Sequence, residues 1–338
     1  MKVLITGGSG FLGQNIQESF KPSKINPYET QIDDDRAHYS VIAASSQPYD
    51  LREKYACKKM LEHYRPDVII HAAGSVGGIL ANRENPGKFM YENLSMGMNM
   101  IESTLRYRDE QAPHVKLIML GTVCSYPKIT PVPFQEGDLW NGYPEETNAP
   151  YGIAKKTLMK LGQTYHEQYG LDVINLIPVN MYGPHDHFNL TSSHVIPALI
   201  LKFYSAIKDG SDAVEVWGSG RASREFLYAP DCARAINNAI WAPNVGPEPI
   251  NIGTGKEITI RELVTEIGEQ MGFEGEIVWD DSKPDGQPRR CLNVDRAKEK
   301  LNFTAGTDFK TGLKQTIEWF LKQQQTFECT ETRIWENE

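Results

Sequence analysis

Cysteine is scarce in this chain. Its 338 residues hold five, at Cys57, Cys124, Cys232, Cys291 and Cys329, odd in number, far apart and with no CxxC pair. Such a set supplies neither a disulfide framework nor a structural zinc site, and it fits a reducing compartment. Long apolar runs are lacking too, since none reaches the ~18 residues a membrane helix needs. The N-terminus Met1-Lys2-Val3-Leu4-Ile5-Thr6 lacks the basic start, long apolar centre and small-residue cleavage site of a signal peptide. A cytoplasmic protein with no membrane partner is expected. Positive charge is in deficit: 35 Lys and Arg stand against 44 Asp and Glu, a formal net charge of -9. That repels phosphate backbones at long range and argues against nucleic acid as a partner. Internal repeats and low-complexity segments are absent. What is present is ordinary globular composition, 40% hydrophobic, 23% charged and 10% aromatic. At roughly 100–200 residues per domain, the length allows two domains or a large one with a smaller lobe.

The first half alternates apolar runs with helical periodicity. Lys2–Thr6, Tyr39–Ala44, Asp67–Ala73 and Val115–Gly121 read as strands. Leu12–Phe20, Glu53–Tyr64 and Asn93–Leu105 read as helices. Strands apolar nearly throughout are covered on both faces, so the fold class is α/β with a doubly wound parallel sheet. A long helix at Pro150–Tyr169 and a strand at Asp172–Ile177 follow. The sheet domain is assigned to residues 1–182, with late strands able to return to it. A smaller mixed α/β lobe takes 183–325 and a peripheral polar tail 326–338. The polar stretch Lys21–Ala37, with Asp33-Asp34-Asp35, reads as a solvated loop.

Gly7-Gly8-Ser9-Gly10-Phe11-Leu12-Gly13 follows a strand and opens a helix. Gly7 suits a tight turn, Gly10 the approach of a pyrophosphate, and Gly13 close packing of helix on sheet. The N–H groups of the helix start, at Phe11 and Leu12, face the phosphates. No carboxylate follows the second strand until Asp50, whereas Ser45, Ser46 and Arg52 can receive a phosphate, so NADP (NADPH) is favoured with NAD possible. Asp50 and Leu51 are placed beside the adenine.

Tyr151 and Lys155 are four apart on one helical face, with Pro150 suited to the first turn. A nearby ammonium favours the phenolate and is expected to bring the phenol closer to neutrality. Thr122 stands at the carboxyl end of a parallel strand, where α/β sheets place their sites.

With these residues in view, the chain resembles the extended short-chain dehydrogenases/reductases, with a Rossmann sheet, and within them the branch acting on GDP-4-keto-6-deoxy sugars. The matching segments run from the Gly-rich turn through Ala72–Ile79, Thr122–Lys128, Thr147–Tyr151, Asn180–Asp186 and Ser193–Pro197. They continue through Val216–Gly220, Arg224–Leu227 and Lys283–Gly286, to about Asn302. The resemblance implies a triad of Thr122, Tyr151 and Lys155, with Thr at 122 where Ser is usual. Lys155 and Tyr151 also hold the nicotinamide ribose. It further implies an epimerisation pair at Cys124 and His194. Removing hydrogen from carbon 3 or 5 of a 4-keto sugar gives an enolate. Hydride then reduces carbon 4, with Tyr151 supplying the proton to oxygen. Asn180, Trp217, Arg224 and Lys283 would bind the GDP-sugar, with Arg221, Arg289 and Arg290 either adding to the pocket or lying on the surface. His185 and His187 lack further ligands at metal-binding spacing, so no metal is expected. A homodimer through Asn93–Leu105 and Pro150–Tyr169 is implied. The alternatives are a reductase-only or epimerase-only enzyme on a related heptose or dideoxy sugar, a UDP-sugar 4-epimerase with bound NAD, and a non-catalytic nucleotide-binding protein.

Overall fold

The computed structural model describes residues 1–20, 39–44, 46–190, 192–283 and 286–335. The stretch 21–37, Ser45 and the Pro284-Asp285 step lie outside the described residues. The first part of the chain runs β1 (Lys2–Thr6), α1 (Phe11–Ser19), β2 (Ser40–Ala44), α2 (Lys54–Tyr64), β3 (Val68–His71), α3 (Ile79–Glu84), α4 (Pro86–Glu110), β4 (Lys116–Leu120), α5 (Ala149–Tyr169) and β5 (Asp172–Pro178). Then come β6 (Asn180–Tyr182), α6 (Val195–Asp209), β7 (Ala213–Trp217), β8 (Ser223–Tyr228), α7 (Ala229–Trp241), β9 (Ile250–Ile252) and β10 (Glu257–Thr259). The last elements are α8 (Ile260–Met271), β11 (Glu276–Asp280), α9 (Asp295–Leu301) and α10 (Phe309–Trp335).

The main sheet has strand order β2-β1-β3-β4-β5-β9, all pairs parallel. Successive side chains of a strand point to opposite faces, and the strands sort their apolar residues accordingly. Val3, Ile5, Val68, Ile70, Ile118 and Ile174 enter one core, while Leu4, Ile69, Leu117, Met119 and Val173 enter the other. Helices α1 and α7 close the first face, with Ile16 and Ile236 buried there. Helices α2, α4 and α5 close the second, through Met60, Ile101 and Leu158. Each fully buried aliphatic side chain of this kind stabilises the fold by about 2 kcal/mol. The strand order reverses at β1, whose neighbours β2 and β3 connect in opposite directions. In an open α/β sheet the crevice beyond the strand ends at that reversal is where ligands bind.

The other lobe packs a β10-β8-β6 sheet and a β11-β7 pair around α6, α8 and α10. In β7, Val214 and Val216 are buried while Ala213, Glu215 and Trp217 face out, the alternation of a strand covered on one face. β6 pairs with β8 two residues after β5 leaves the main sheet, so the lobe is tied directly to the sheet's carboxyl ends. The segment from Thr326 continues α10 as helix to Trp335.

Candidate active site

Three parallel strands deliver the site. At the end of β1, Gly7 has a φ of 69°, and a Cβ there would come 2.7 Å from the Ala73 Cα. A left-handed turn pressed against the neighbouring strand admits only glycine. The Gly10 N–H closes this turn on the Gly7 carbonyl at 3.0 Å. Gly10 is the N-cap of α1 and no side chain caps the helix there. The first-turn N–H groups, at Phe11, Leu12 and Gly13, lack acceptors within the helix and face outward at its positive end. That is a cradle for an anion.

A cavity of about 370 Å³ opens beside this turn, lined among others by Ser46, Asp50, Leu51, Arg52 and Glu92. Leu51 is buried, and its carbonyl accepts from Asn99 Nδ2 at 3.0 Å. Arg52 sits between two carboxylates, with Nη2 2.7 Å from Asp50 Oδ2 and Nη1 3.0 Å from Glu92 Oε1. The guanidinium holds the Asp50 carboxyl below the usual carboxylate range. Glu92 also accepts from Ser75 Oγ at 2.5 Å. Of the three residues expected to receive a phosphate, Ser46 and Arg52 line the cavity, but Arg52 comes already engaged.

Deeper in the cleft, polar groups lack partners. His71 bonds Thr6 Oγ1 through Nδ1 at 2.9 Å, while its buried Nε2 has no partner among the described residues. Burial, with the Lys155 charge nearby, pulls its pKa down to about 3, so the ring is neutral. Asn93 donates to the Ser75 carbonyl at 2.8 Å and leaves Oδ1 buried and unpaired. A Cβ on Gly74 would lie 3.1 Å from that oxygen and 3.5 Å from Lys155 Nζ. Burial pulls the Lys155 ammonium down to about 8. Neutral and cationic donors beside unpaired acceptors fit the ribose hydroxyls of a dinucleotide, and the α1 cradle fits its pyrophosphate.

Thr122 follows β4 and Gly121. It is buried, and its Oγ1 accepts from the Cys124 N–H at 3.2 Å, with its hydroxyl close enough to the Tyr151 phenol to act on it. The short 3-10 turn Val123–Ser125 lies against the start of α5. There Gly152 lets the α5 backbone touch the Cys124 carbonyl, and Ser125 Oγ donates to the Gly152 carbonyl at 2.9 Å. The structure corrects one expectation. Burial is the largest influence on Tyr151, with Cys124 adding to it and the Thr122 hydrogen bond opposing it, so the phenol is raised rather than brought toward neutrality. Lys155 acts on His71 instead.

Arg290, read from sequence as a pocket or surface residue, is 8% exposed. Its Nη1 lies 3.7 Å from Cys124 Sγ and 3.4 Å from Asn180 Oδ1. Its Nε and Nη2 donate to Gln287 Oε1 at 3.1 and 3.0 Å. Asn180 is held in turn by the Glu225 carbonyl at 3.0 Å. Arg224 donates to the Ser223 carbonyl at 2.7 Å and lies near Gly286. Trp217 is 55% exposed, with the Lys283 ammonium 5.7 Å from its ring centre. Lys283 also pairs with Asp280 at 3.7 Å. Arg221 donates to Ser219 Oγ, and Arg289 pairs with Glu257 on the surface.

His194 caps α6 without a side-chain bond. The residue as a whole is exposed, yet the protein packed around its imidazole, and then the charge of His187, hold it below the ordinary imidazole range. The segment before it rests on the β3–α3 turn, where the Gly78 N–H meets the Ser192 carbonyl at 2.9 Å. His185 Nε2 bonds Glu18 at 3.1 Å and His187 Nε2 bonds Ser192 Oγ at 3.2 Å. Among the described residues no cluster of three or more His, Cys, Asp or Glu forms a metal site. The structure thus brings Thr122, Cys124, Tyr151 and Arg290 together. Among the described residues no hydrogen bond joins His194 to Cys124, and none joins Trp217 or Lys283 to Tyr151. Asn93, His71 and Gln287 were not singled out in the sequence. Their only signal is polarity inside an otherwise apolar strand or helix face, and for Gln287 its place three residues before Arg290.

The profile of the NAD dependent epimerase/dehydratase family matches residues 3–253. The chain is 36% identical over 334 residues to the GDP-L-fucose synthase of Escherichia coli K12, covering 96% of this chain and 98% of that one. It is 42% identical over 281 residues to that of Sinorhizobium fredii, covering 83% and 87%. A crystal structure of a GDP-L-fucose synthetase from Naegleria fowleri bound to NADP superposes with a TM-score of 0.82 at 29% identity, over 96% and 95% of the two chains.

Proposed function

Because the chain belongs to the NAD dependent epimerase/dehydratase family, we propose that it catalyses the GDP-L-fucose synthase reaction. It epimerises carbons 3 and 5 of a GDP-4-keto-6-deoxyhexose and reduces carbon 4, using NADPH. The observation that supports this most is the placement of a thiol, Cys124, beside a protonated phenol, Tyr151, with the Thr122 hydroxyl bonded to the Cys124 N–H. Reduction of a ketone needs the phenol alone. A thiol at the same carbonyl has work only if a carbon–hydrogen bond is also broken.

Hydrogens on carbons 3 and 5 are acidic because both flank the carbonyl. Cys124 as thiolate takes one, and the charge moves to the carbonyl oxygen. Tyr151 and Thr122 donate hydrogen bonds to that oxygen, which is worth most in a site shielded from water. A proton returned from the opposite face inverts the carbon, the role we assign to His194, because an imidazole can carry and release a proton. The residues that would hold the cofactor are Gly7, Gly10, Phe11, Leu12 and Gly13 at the pyrophosphate, Asp50 and Leu51 at the adenine, and Tyr151 and Lys155 at the nicotinamide ribose. When bound, the reduced nicotinamide supplies the hydride for carbon 4. Tyr151, kept protonated by burial, gives its proton to the oxygen. Asn180, Trp217, Arg224 and Lys283 are assigned to the GDP-sugar, Arg as a fork on the diphosphate and Lys as a point charge.

Among the described residues no helix is long and apolar enough to cross a membrane. We place the protein in the cytoplasm, as a homodimer formed through α4 and α5. The test is turnover of GDP-4-keto-6-deoxymannose with NADPH, with the product identified by NMR. GDP-L-fucose is the expected product. A product that keeps the manno configuration at carbons 3 and 5 would leave a 4-ketoreductase.

A further inference from the structure

Arg290 is a guanidinium in the interior with no acid to pair with among the described residues. Such a group stays charged in any protein, and burying an unpaired charge is costly. Among the described residues no carboxylate forms an ion pair with it. Its acceptors are neutral: Gln287 Oε1 at 3.0 Å, Asn180 Oδ1 at 3.4 Å and the Cys124 sulfur at 3.7 Å. Gln287 is fixed from its other end, where Nε2 donates to the Lys128 carbonyl at 2.8 Å. The guanidinium is held on Gln287 Oε1 by two hydrogen bonds, with Nη1 directed at the sulfur. From α5, Cys124 faces the phenol of Tyr151, which burial keeps neutral. Arg290 is the cation that faces it from the segment after β11.

We propose that Arg290 is the positioning residue for the base, the built-in counter-ion that favours the Cys124 thiolate and holds its sulfur toward the sugar carbons. The inference rests on the proposed epimerase reading, in which Cys124 removes a carbon-bound proton. The charge balance is simple: the thiol loses its proton to solvent, and the thiolate so formed completes an ion pair with a guanidinium that otherwise has none. A neighbouring arginine is one of the recognised means of stabilising a thiolate. Gln287 and Asn180 hold the fork without neutralising it, which a carboxylate in either place would do.

The first measurement needs no substrate. The thiolate of the full chain is titrated by its ultraviolet absorbance, with Cys124→Ser as the blank. Cys57, Cys232 and Cys291 are pushed up to about 12 by burial and add little near neutrality. Arg290→Gln is expected to raise the midpoint by about one unit, a tenfold loss of thiolate below it. Arg290→Lys should recover part of that shift. Gln287→Glu, which keeps Arg290 and sets a carboxylate on its fork, should raise the midpoint as well. The second measurement is proton exchange at carbons 3 and 5, which should fall with the thiolate and recover as pH is raised above the shifted midpoint. A midpoint unchanged in both Arg290→Gln and Gln287→Glu would overturn the proposal. A shifted midpoint with no exchange on any 4-keto sugar would leave Arg290 as the counter-ion and remove the epimerase reading instead.

Discussion

Tyr151 and Lys155 are four residues apart, and their spacing suggested that the ammonium tunes the phenol. Burial proves the larger effect on each: it raises the phenol and pulls Lys155 down to about 8. A phenol kept protonated is suited to donate, which is what reduction of a ketone requires. The same burial bears on stability through His71. Its pKa in the fold is about 3 against an ordinary 6.5. Between those values the unfolded chain binds the extra proton and the folded one does not, so this group's contribution to stability falls as pH drops from about 6.5 toward 3. Asp186, raised by burial to about 7, works in the opposite sense over much of that range. His71→Gln should therefore flatten the acid-side loss of melting temperature relative to the parent protein. An identical slope in the two would show that His71 is not held neutral. Of these residues, Thr122, Cys124, Tyr151 and Lys155 could be read from the sequence because a pattern links them. Asn93, His71 and Arg290 could not be assigned there, since their significance lies in what folding leaves unpaired around them.

Helix α5 joins the two halves of the chemistry because its first turn touches the 3-10 segment that carries Cys124. Gly152 permits that contact, with the α5 backbone against the Cys124 carbonyl. Gly152→Ala places a methyl into backbone that cannot retreat without moving Cys124 or Tyr151. Overpacking of this kind costs about 1–3 kcal/mol. A lowered urea midpoint is expected, with a larger proportional loss of turnover than of NADPH binding. Equal turnover at a lowered midpoint would mean that the contact is only structural. The alternation of strands and helices made this element legible, since α5 was expected over Pro150–Tyr169 and spans Ala149–Tyr169. Helix α4 was expected over Asn93–Leu105 but runs from Pro86 to Glu110. Its first three residues, Pro86, Gly87 and Lys88, are exposed and only Phe89 is buried in the opening turn, too little to show a period, while Pro86 fits the first helical turn. β9 adds a late parallel strand beside β5, and it is too short to stand out in sequence.

In the whole molecule, a doubly wound parallel sheet is tied at its strand ends to a second lobe through β6 and β8. The net charge of -9 is set against local cations, of which Arg224 and Lys283 are those we assign to the phosphates of the GDP-sugar. On α4, Tyr91 and Met98 are seven residues apart and 66% and 43% exposed, so two large side chains share one outward face. Met98→Arg should convert the proposed homodimer to monomer by light scattering, and an unchanged mass would place the interface elsewhere. The central claim is that one site both inverts carbons and reduces a ketone. Its most direct measurement is turnover of GDP-4-keto-6-deoxymannose with NADPH in heavy water. Deuterium at carbons 3 and 5 of an L-fucose product, abolished by Cys124→Ser, is the expected result. Reduction at carbon 4 without deuterium at either carbon would contradict it.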